Sequence, residues 1–335
     1  MAGQLACMST LPELRVDPRR GSIVGERYRI GELIARGSMG AVYRAERTGL
    51  GRTVAIKFLV GGCAPEDELR RRFEIEAKAA SRLGHPNCVG VIDFGLDRDT
   101  PFVVMEFVDG ETLRAVLRRS LPSVGRALRL SRQLLAGLAH AHEHGVVHRD
   151  IKPDNVLVSE DAFGEHLKLT DFGLAKIDTW VTNQRFAIGT PSYMSPEQTI
   201  GDPVDARADV YAMGVLLFEL LTGHKPFRAD TPFETMRLHR EAPIPCFEDV
   251  APDRPVSPTV EGVVRRALAK RREDRYGSAI ELAKALERAV EVEDDDQDLG
   301  KLLAASRGSR GLFAGIAFCL VMASIALIVL LALVE

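Results

Sequence analysis

The spacing of the apolar residues changes part-way along the chain, and that change limits the fold more than any other feature. Up to about residue 108 they come in short runs rich in β-branched and aromatic residues: YRIGELIA, AVYRAE, TVAIKFLV, CVGVIDFGL and PFVVMEFV, broken by glycines. Such runs predict strands. A single helical interruption is predicted over about Glu66–Leu83. From 112 to 290 the pattern becomes helical, with LRLSRQLLAGLAHAHEHG and ADVYAMGVLLFELLTG the longest periodic segments. The second contains Asp209 and Glu219, so it reads as a buried central helix and not as a membrane span. The expected class is α+β: a small β-rich lobe with one main helix, followed by a larger helical lobe.

The C-terminal segment is of another kind. No residue from Leu312 to Val334 is charged, and Ser324 alone breaks its apolar character. At about 1.5 Å per residue this is a helix of roughly 35 Å, long enough to cross a bilayer with some tilt. Arg307 and Arg310 precede it and no basic residue follows. Basic residues favour the cytoplasmic side, so the expectation is a single-pass cell-membrane protein with residues 1–310 in the cytoplasm. Only Glu335 follows the span, which reads as a tail anchor with no further domain. Upstream, EVEDDDQD places six acidic residues in Glu291–Asp298, too charged to fold alone. The predicted organisation is a flexible leader at 1–27, a folded domain at 28–290, an acidic juxtamembrane linker at 291–310 and a transmembrane helix at 311–334. Gly311 and Gly315 form a GxxxG pattern, a candidate contact for a homodimer.

The net charge of −3 argues against a partner of nucleic acid bound by broad phosphate neutralisation. Five scattered cysteines without a CxxC pair suggest neither a disulfide framework nor a zinc site, in keeping with a reducing cytosol.

Chemistry concentrates in four stretches of the folded region. LIARGSMGAVYRA lies between two strand patterns, so Gly37 and Gly40 belong to a hairpin. Glycines there would let backbone N–H groups lie over phosphates, although an ordinary hairpin carries the same pattern. In VAIK, Lys57 stands in an apolar strand, where an ammonium is costly unless it meets an anion. The helix at 66–83 offers one: Leu69, Phe73, Glu76, Ala80 and Leu83 share a face, opposite Arg70, Glu74, Lys78 and Arg82. Glu76 is thus the acid on the apolar side, and Glu74 a solvated charge. HRDIKPDN sets Asp150, Lys152 and Asn155 in a loop: a base for a hydroxyl proton, a cation for a phosphoryl group and an oxygen ligand for Mg²⁺. One strand later, in LKLTDFGLA, Asp171 adds a second oxygen ligand.

With GTPSYMSPEQ, these motifs resemble the eukaryotic-type protein kinase family, in particular the bacterial membrane-attached serine/threonine kinases, from about Tyr28 to Leu286. The resemblance implies a bilobal kinase fold, ATP and Mg²⁺ (with Mn²⁺ as a substitute) as cofactors, and proteins with Ser/Thr acceptors as substrates. It implies that Ile34, Ala35, Arg36, Gly37, Ser38, Met39, Gly40 and Val42 cover the nucleotide. Lys57 would hold the α- and β-phosphates and pair with Glu76. Met105 would be the gatekeeper, and Glu106 to Val108 the hinge that reads adenine through the backbone. Asn155 and Asp171 would hold Mg²⁺, Asp150 would take the substrate's proton, and Lys152 would neutralise charge on the γ-phosphoryl. Glu197 would pair with Arg275, and Asp209 would brace the catalytic loop.

The family pattern also implies a switch. Arg149 would bind a phosphate on the activation loop, with Thr179 and Thr182 the candidate autophosphorylation sites and Thr190 near Asp150 and Lys152. Two positions depart from the pattern: Ala35 replaces the first loop glycine, and SPE stands where APE is usual. Ala is the smallest substitute and the later glycines remain, so activity is expected to survive. The alternative is a membrane-anchored pseudokinase scaffold, which the presence of Lys57, Asp150 and Asp171 disfavours. GTPSYMSPE, which shapes a peptide groove in protein kinases, argues against a small-molecule kinase. The histidines of HAHEHGVVH invite a metal reading, but HGVVH is not HExxH and His148 belongs to the HRD position.

Overall fold

Strand parity explains how one sheet serves two cores. The computed structural model describes residues 17–37, 40–59, 66–172 and 191–291. Its first sheet contains β1 (Ile23–Val24), β2 (Tyr28–Gly37), β3 (Gly40–Arg47), β4 (Arg52–Leu59), β5 (Val91–Asp97) and β6 (Thr100–Glu106), in the order β1-β2-β3-β4-β6-β5 and antiparallel throughout. Alternate residues of β4 point to opposite faces. Val54, Ile56 and Phe58 pack with Tyr43, Phe102 and Val104 on one side. Ala55 and Leu59 pack with Val103, Met105 and two residues of α1 (Glu66–Ala80), Phe73 and Ala77, on the other. Lys57 shares parity with this second set and is only 5% exposed.

The helical face predicted for α1 is the buried one: Phe73, Ala80 and Leu83 are buried, whereas Glu74 and Lys78 are exposed and paired at 3.4 Å. Glu76 is half-buried at the edge of that face.

The leader requires a correction, because residues 17–27 pack against the sheet. Val24 is 1% exposed, β1 pairs with β2, and Arg19 reaches Asp97 at 3.0 Å. Asp17 accepts a 2.8 Å hydrogen bond from the hydroxyl of Tyr43. Burying Val24 and pairing these charges offsets the entropy of ordering the segment, which its polar composition concealed.

The larger lobe forms around α5 (Ala206–Thr222). Every residue from Ala208 to Thr222 is buried, so this is a central helix, as predicted. Against it pack α3 (Val124–Glu143) and α8 (Pro258–Ala267), and the same lobe holds α2 (Leu113–Arg119), α4 (Pro196–Ile200), α6 (Pro232–Glu241) and α7 (Phe247–Val250). A second sheet, β7 (Glu111–Thr112), β8 (Val156–Asp161) and β9 (Gly164–Leu169), lies against α3. The lobes are joined at 107–110 after β6, and again where Val89 donates to the carbonyl of Leu169 and Leu169 donates to that of Asn87, each at 2.8 Å.

Among the described residues no helix is long and apolar enough to cross a membrane. The predicted span at 311–334 and the linker beyond 291 lie outside the described residues, as do Ser38, Met39, Thr179, Thr182 and Thr190.

Candidate active site

The hairpin of β2 and β3 forms the roof. Gly40 has φ +141°, and a Cβ there would lie 1.8 Å from the carbonyl oxygen of Phe58. Only glycine fits. Gly37 is different, since a Cβ on it would meet nothing within 4 Å. Packing does not require glycine at 37, so its missing side chain leaves open space above the cleft. Ile34, Ala35 and Arg36 are exposed along the same strand.

Beneath the hairpin, Val42 lies opposite Lys57 in the register, Ala55 opposite Met105 and Lys57 opposite Val103. Val42, Ala55, Met105, Val108 and Leu157 therefore belong to one apolar cluster that spans both lobes. Ala55 and Leu157 were not singled out from sequence. Their signal was positional: Ala55 lies two residues from Lys57 in a strand of period two, and Leu157 lies two residues after Asn155, at the start of β8. The Glu106 N–H donates to the carbonyl of Gly90 at 2.9 Å, and its carboxylate holds Lys168 of β9 at 2.7 Å.

The Lys57 ammonium meets the carboxylate of Asp171 at 2.8 Å, with 6% and 27% of the two side chains exposed. Asp171, placed from the sequence among the Mg²⁺ ligands, thus also meets this lysine. Asp171 has φ +65°, left-handed backbone that is costly for a residue other than glycine.

The catalytic loop is held from below by a single buried carboxylate. Asp209 on α5 accepts N–H groups from His148 and Arg149, each at 2.7 Å, and a ring N–H from His142 at 2.9 Å. Arg149 also has left-handed backbone, φ +65°, and its carbonyl accepts from the side chain of Gln198 at 2.9 Å. Bonds on both sides of that residue hold the strained turn. His142 and Gln198 lie in the quoted stretches HAHEHGVVH and GTPSYMSPEQ but were not singled out, because the contacts they make are tertiary.

His148 is fully buried, and burial holds its ring below the ordinary pKa and therefore neutral. Its Nε2 lies 2.9 Å from the carbonyl of Thr170, which can only accept. Nε2 therefore carries the proton, and Nδ1 accepts the N–H of Asp150 at 3.3 Å. One ring thus couples the Asp150 backbone to the residue before Asp171.

Asp150 gathers the remaining groups. Its Oδ2 lies 2.9 Å from Lys152 Nζ and 3.0 Å from Asn155 Nδ2, and Asn155 also donates to its carbonyl at 2.8 Å. With its NH₂ directed at Asp150, Asn155 has its amide oxygen for a metal, and Asp171 brings a carboxylate. Two hard oxygen donors of this kind fit Mg²⁺. In the second lobe, Glu197 and Arg275 form a bidentate pair at 2.7 and 2.8 Å, both buried.

A base beside a lysine, an amide oxygen and a carboxylate near it, and an open glycine roof form a site for phosphoryl transfer. The profile of the protein kinase domain matches residues 28–287. The chain belongs to the protein kinase family.

The kinase domain is 42% identical over 287 residues to the serine/threonine-protein kinase pkn3 of Myxococcus xanthus, covering 82% of this chain and 51% of that protein. It is 40% identical over 266 residues to the probable serine/threonine-protein kinase PknB of Lactococcus lactis, covering 78% and 42%. The chain thus spans about half the length of these curated relatives. The crystal structure of the Mycobacterium tuberculosis PknI kinase domain superimposes with a TM-score of 0.65 at 29% identity, covering 81% of this chain and 98% of that one.

Proposed function

We propose that this kinase domain transfers the γ-phosphoryl group of ATP to serine or threonine hydroxyls of proteins. The observation that carries the reading is the convergence of Lys152 and Asn155 on the Asp150 carboxylate, together with the Lys57–Asp171 contact. Asp150 orients the acceptor hydroxyl and takes its proton as the new P–O bond forms and the bond to the departing ADP oxygen breaks. Lys152 offsets negative charge on the group in flight, and Lys57 holds the phosphates that leave. Asn155 and Asp171 hold Mg²⁺, which supplies Lewis-acid charge neutralisation when bound. Val42, Ala55, Met105 and Leu157 enclose the base, while the backbone of Glu106–Val108 reads its edge.

The scaffold alternative finds no support, since every group this chemistry needs is in the chain. Thr179 and Thr182 are the proposed sites of autophosphorylation, read out by Arg149, with Thr190 near the acceptor. Tethering through Leu312–Val334, with the kinase domain in the cytoplasm, would raise the local concentration of copies and favour phosphorylation in trans.

The test is intact-mass spectrometry of the full chain in lipid nanodiscs after incubation with ATP and Mg²⁺, beside Asp150→Asn, followed by site mapping. Added phosphate on Thr179 or Thr182 in the unsubstituted chain alone is the expected result. Silence there, and on a generic Ser/Thr protein substrate, overturns the reading.

A further inference from the structure

Beside the end of the activation segment lies a cavity of about 780 Å³ whose lining includes Arg114, Ser192, Lys225, Arg228 and Thr231. It adjoins the catalytic loop through Arg114, whose Nε lies 3.3 Å from Asp154 of HRDIKPDN. The guanidinium of Arg114 also holds Glu219 at 2.8 Å and the hydroxyl of Tyr193 at 2.6 Å, and Tyr193 in turn donates to Glu219. Glu219, which could have received a basic side chain from a substrate, is therefore already occupied by a cation of the protein itself.

The charge that remains is positive. The lining contains three cationic side chains, Arg114, Lys225 and Arg228, against two carboxylates, Glu219 and Asp230. Glu219 is committed to Arg114 and Tyr193, and Asp230 is exposed to water. Lys225 is half-buried, with its ammonium 5.0 Å above the ring of Tyr193. Burial pulls its pKa below the ordinary lysine value; Glu219 and Asp154 oppose that, while Arg114 and Arg228 add to it. With Arg114 neutralised by Glu219, Lys225 and Arg228 are the cations left to face a space large enough for a side chain, and an anion placed between them would relieve their repulsion. The hydroxyls of Ser192 and Thr231 provide further donors at the rim.

We propose that this cavity binds an acidic or phosphorylated side chain of the protein substrate, held between Lys225 and Arg228 a few residues from the acceptor hydroxyl. The proposal rests on the kinase reading and adds a substrate class to it. Carboxylate and phosphate share the oxyanion chemistry that such a pocket recognises, and the phosphate, with the greater charge and three acceptor oxygens, binds more tightly. Charge there selects substrates chiefly through KM, because the contact is made equally in the ground and transition states.

The test uses the full chain in nanodiscs and fluorescein-labelled serine peptides that carry glutamate, phosphoserine, glutamine or lysine at each position from three before to three after the acceptor. Binding is read by fluorescence anisotropy on the Asp150→Asn chain, and kcat and KM on the unsubstituted one. At one position the phosphoserine peptide is expected to bind about tenfold more tightly than the glutamine peptide, with glutamate between them. Lys225→Gln with Arg228→Gln should abolish the difference, Arg228→Lys should restore most of it, and Arg228→Glu should invert it in favour of lysine peptides. The same charge removal at Lys284 and Arg288, away from the cavity, should leave it in place. Equal binding at all positions, or a preference that survives the double substitution, overturns the proposal. Because the anisotropy needs no turnover, charge-selective binding without phosphoryl transfer refutes the kinase reading and spares the pocket. Transfer without charge selectivity refutes the pocket and spares the kinase.

Discussion

Two ion pairs among the described residues, Glu197–Arg275 and Lys57–Asp171, are built differently. Arg275 gives its whole guanidinium to fixed acceptors: both oxygens of Glu197, and the carbonyls of Ala269, Lys270 and Arg207, at 2.7–3.1 Å, with 0% of its side chain exposed. Lys57 meets Asp171 at 2.8 Å, and that carboxylate is 27% exposed on a left-handed backbone at the edge of the cleft. The first pair joins a helix start to a distant loop and has no spare geometry. The second is a compact cation facing a partner that solvent and ligands can reach. A planar fork with all its donors engaged resists exchange, whereas an ammonium on a flexible stem can trade one anion for another. In these terms Glu197–Arg275 is a strut and Lys57–Asp171 is a working contact.

Substitutions should separate the two. Arg275→Met leaves Glu197 buried without its counter-charge, and thermal unfolding should show a loss of about 3–5 kcal/mol. Adding Glu197→Leu should recover much of that, and an unrecovered double variant would mean the carbonyl contacts matter more than the pair. Lys57→Met should reverse the pattern: stability changed by less than about 1 kcal/mol, because Asp171 reaches solvent, but phosphoryl transfer reduced about 10²–10³-fold in single-turnover assays. A large loss of stability there would break the distinction.

Asp209→Asn lies between these extremes. An amide has one acceptor oxygen where the carboxylate has two for His148, Arg149 and His142, so a loss of about 1–3 kcal/mol is expected together with slower transfer. His239 gives a titratable contrast. Burial, reinforced by Lys270, pulls its pKa from 6.5 to about 3. Below its ordinary value the unfolded chain takes up a proton that the folded chain refuses. Stability is therefore fully present above about pH 6.5 and falls as the pH drops toward 3, by about 1.4 kcal/mol per unit from this group. His239→Gln should flatten that slope in urea titrations across this range. The smallest effect is expected at Glu74→Gln, where losing the exposed pair with Lys78 should cost no more than about 0.5 kcal/mol.

Much of this was legible in the sequence wherever a periodic pattern and a polar exception coincided. Lys57 in an apolar strand and the amphipathic division of α1 each follow from parity or helical spacing, whereas the brace at Asp209 was implied by the family resemblance. Residues that act through a tertiary meeting were not legible. His142 reaches Asp209 across 67 positions of sequence and Gln198 reaches Arg149 across 49, and nothing local names either partner. The packing of residues 17–27 was missed for the same reason, since one valine and a few charges look like a solvated leader until the sheet is present. The Lys57 contact was legible in kind: an ammonium in an apolar strand requires an anion, and Asp171 supplies one.

The reciprocal bonds of Asn87, Val89 and Leu169 have a mechanical consequence. Two bodies joined by one strap can swing, slide or twist, but a second fastening away from the first leaves them an axle. The strap at 107–110 and the stitch at 87–89 are two such fastenings, so the lobes can turn about the line between them while sliding is opposed. Every opening of the cleft then follows nearly the same arc, and Lys57 returns along it to the same place above Asp150.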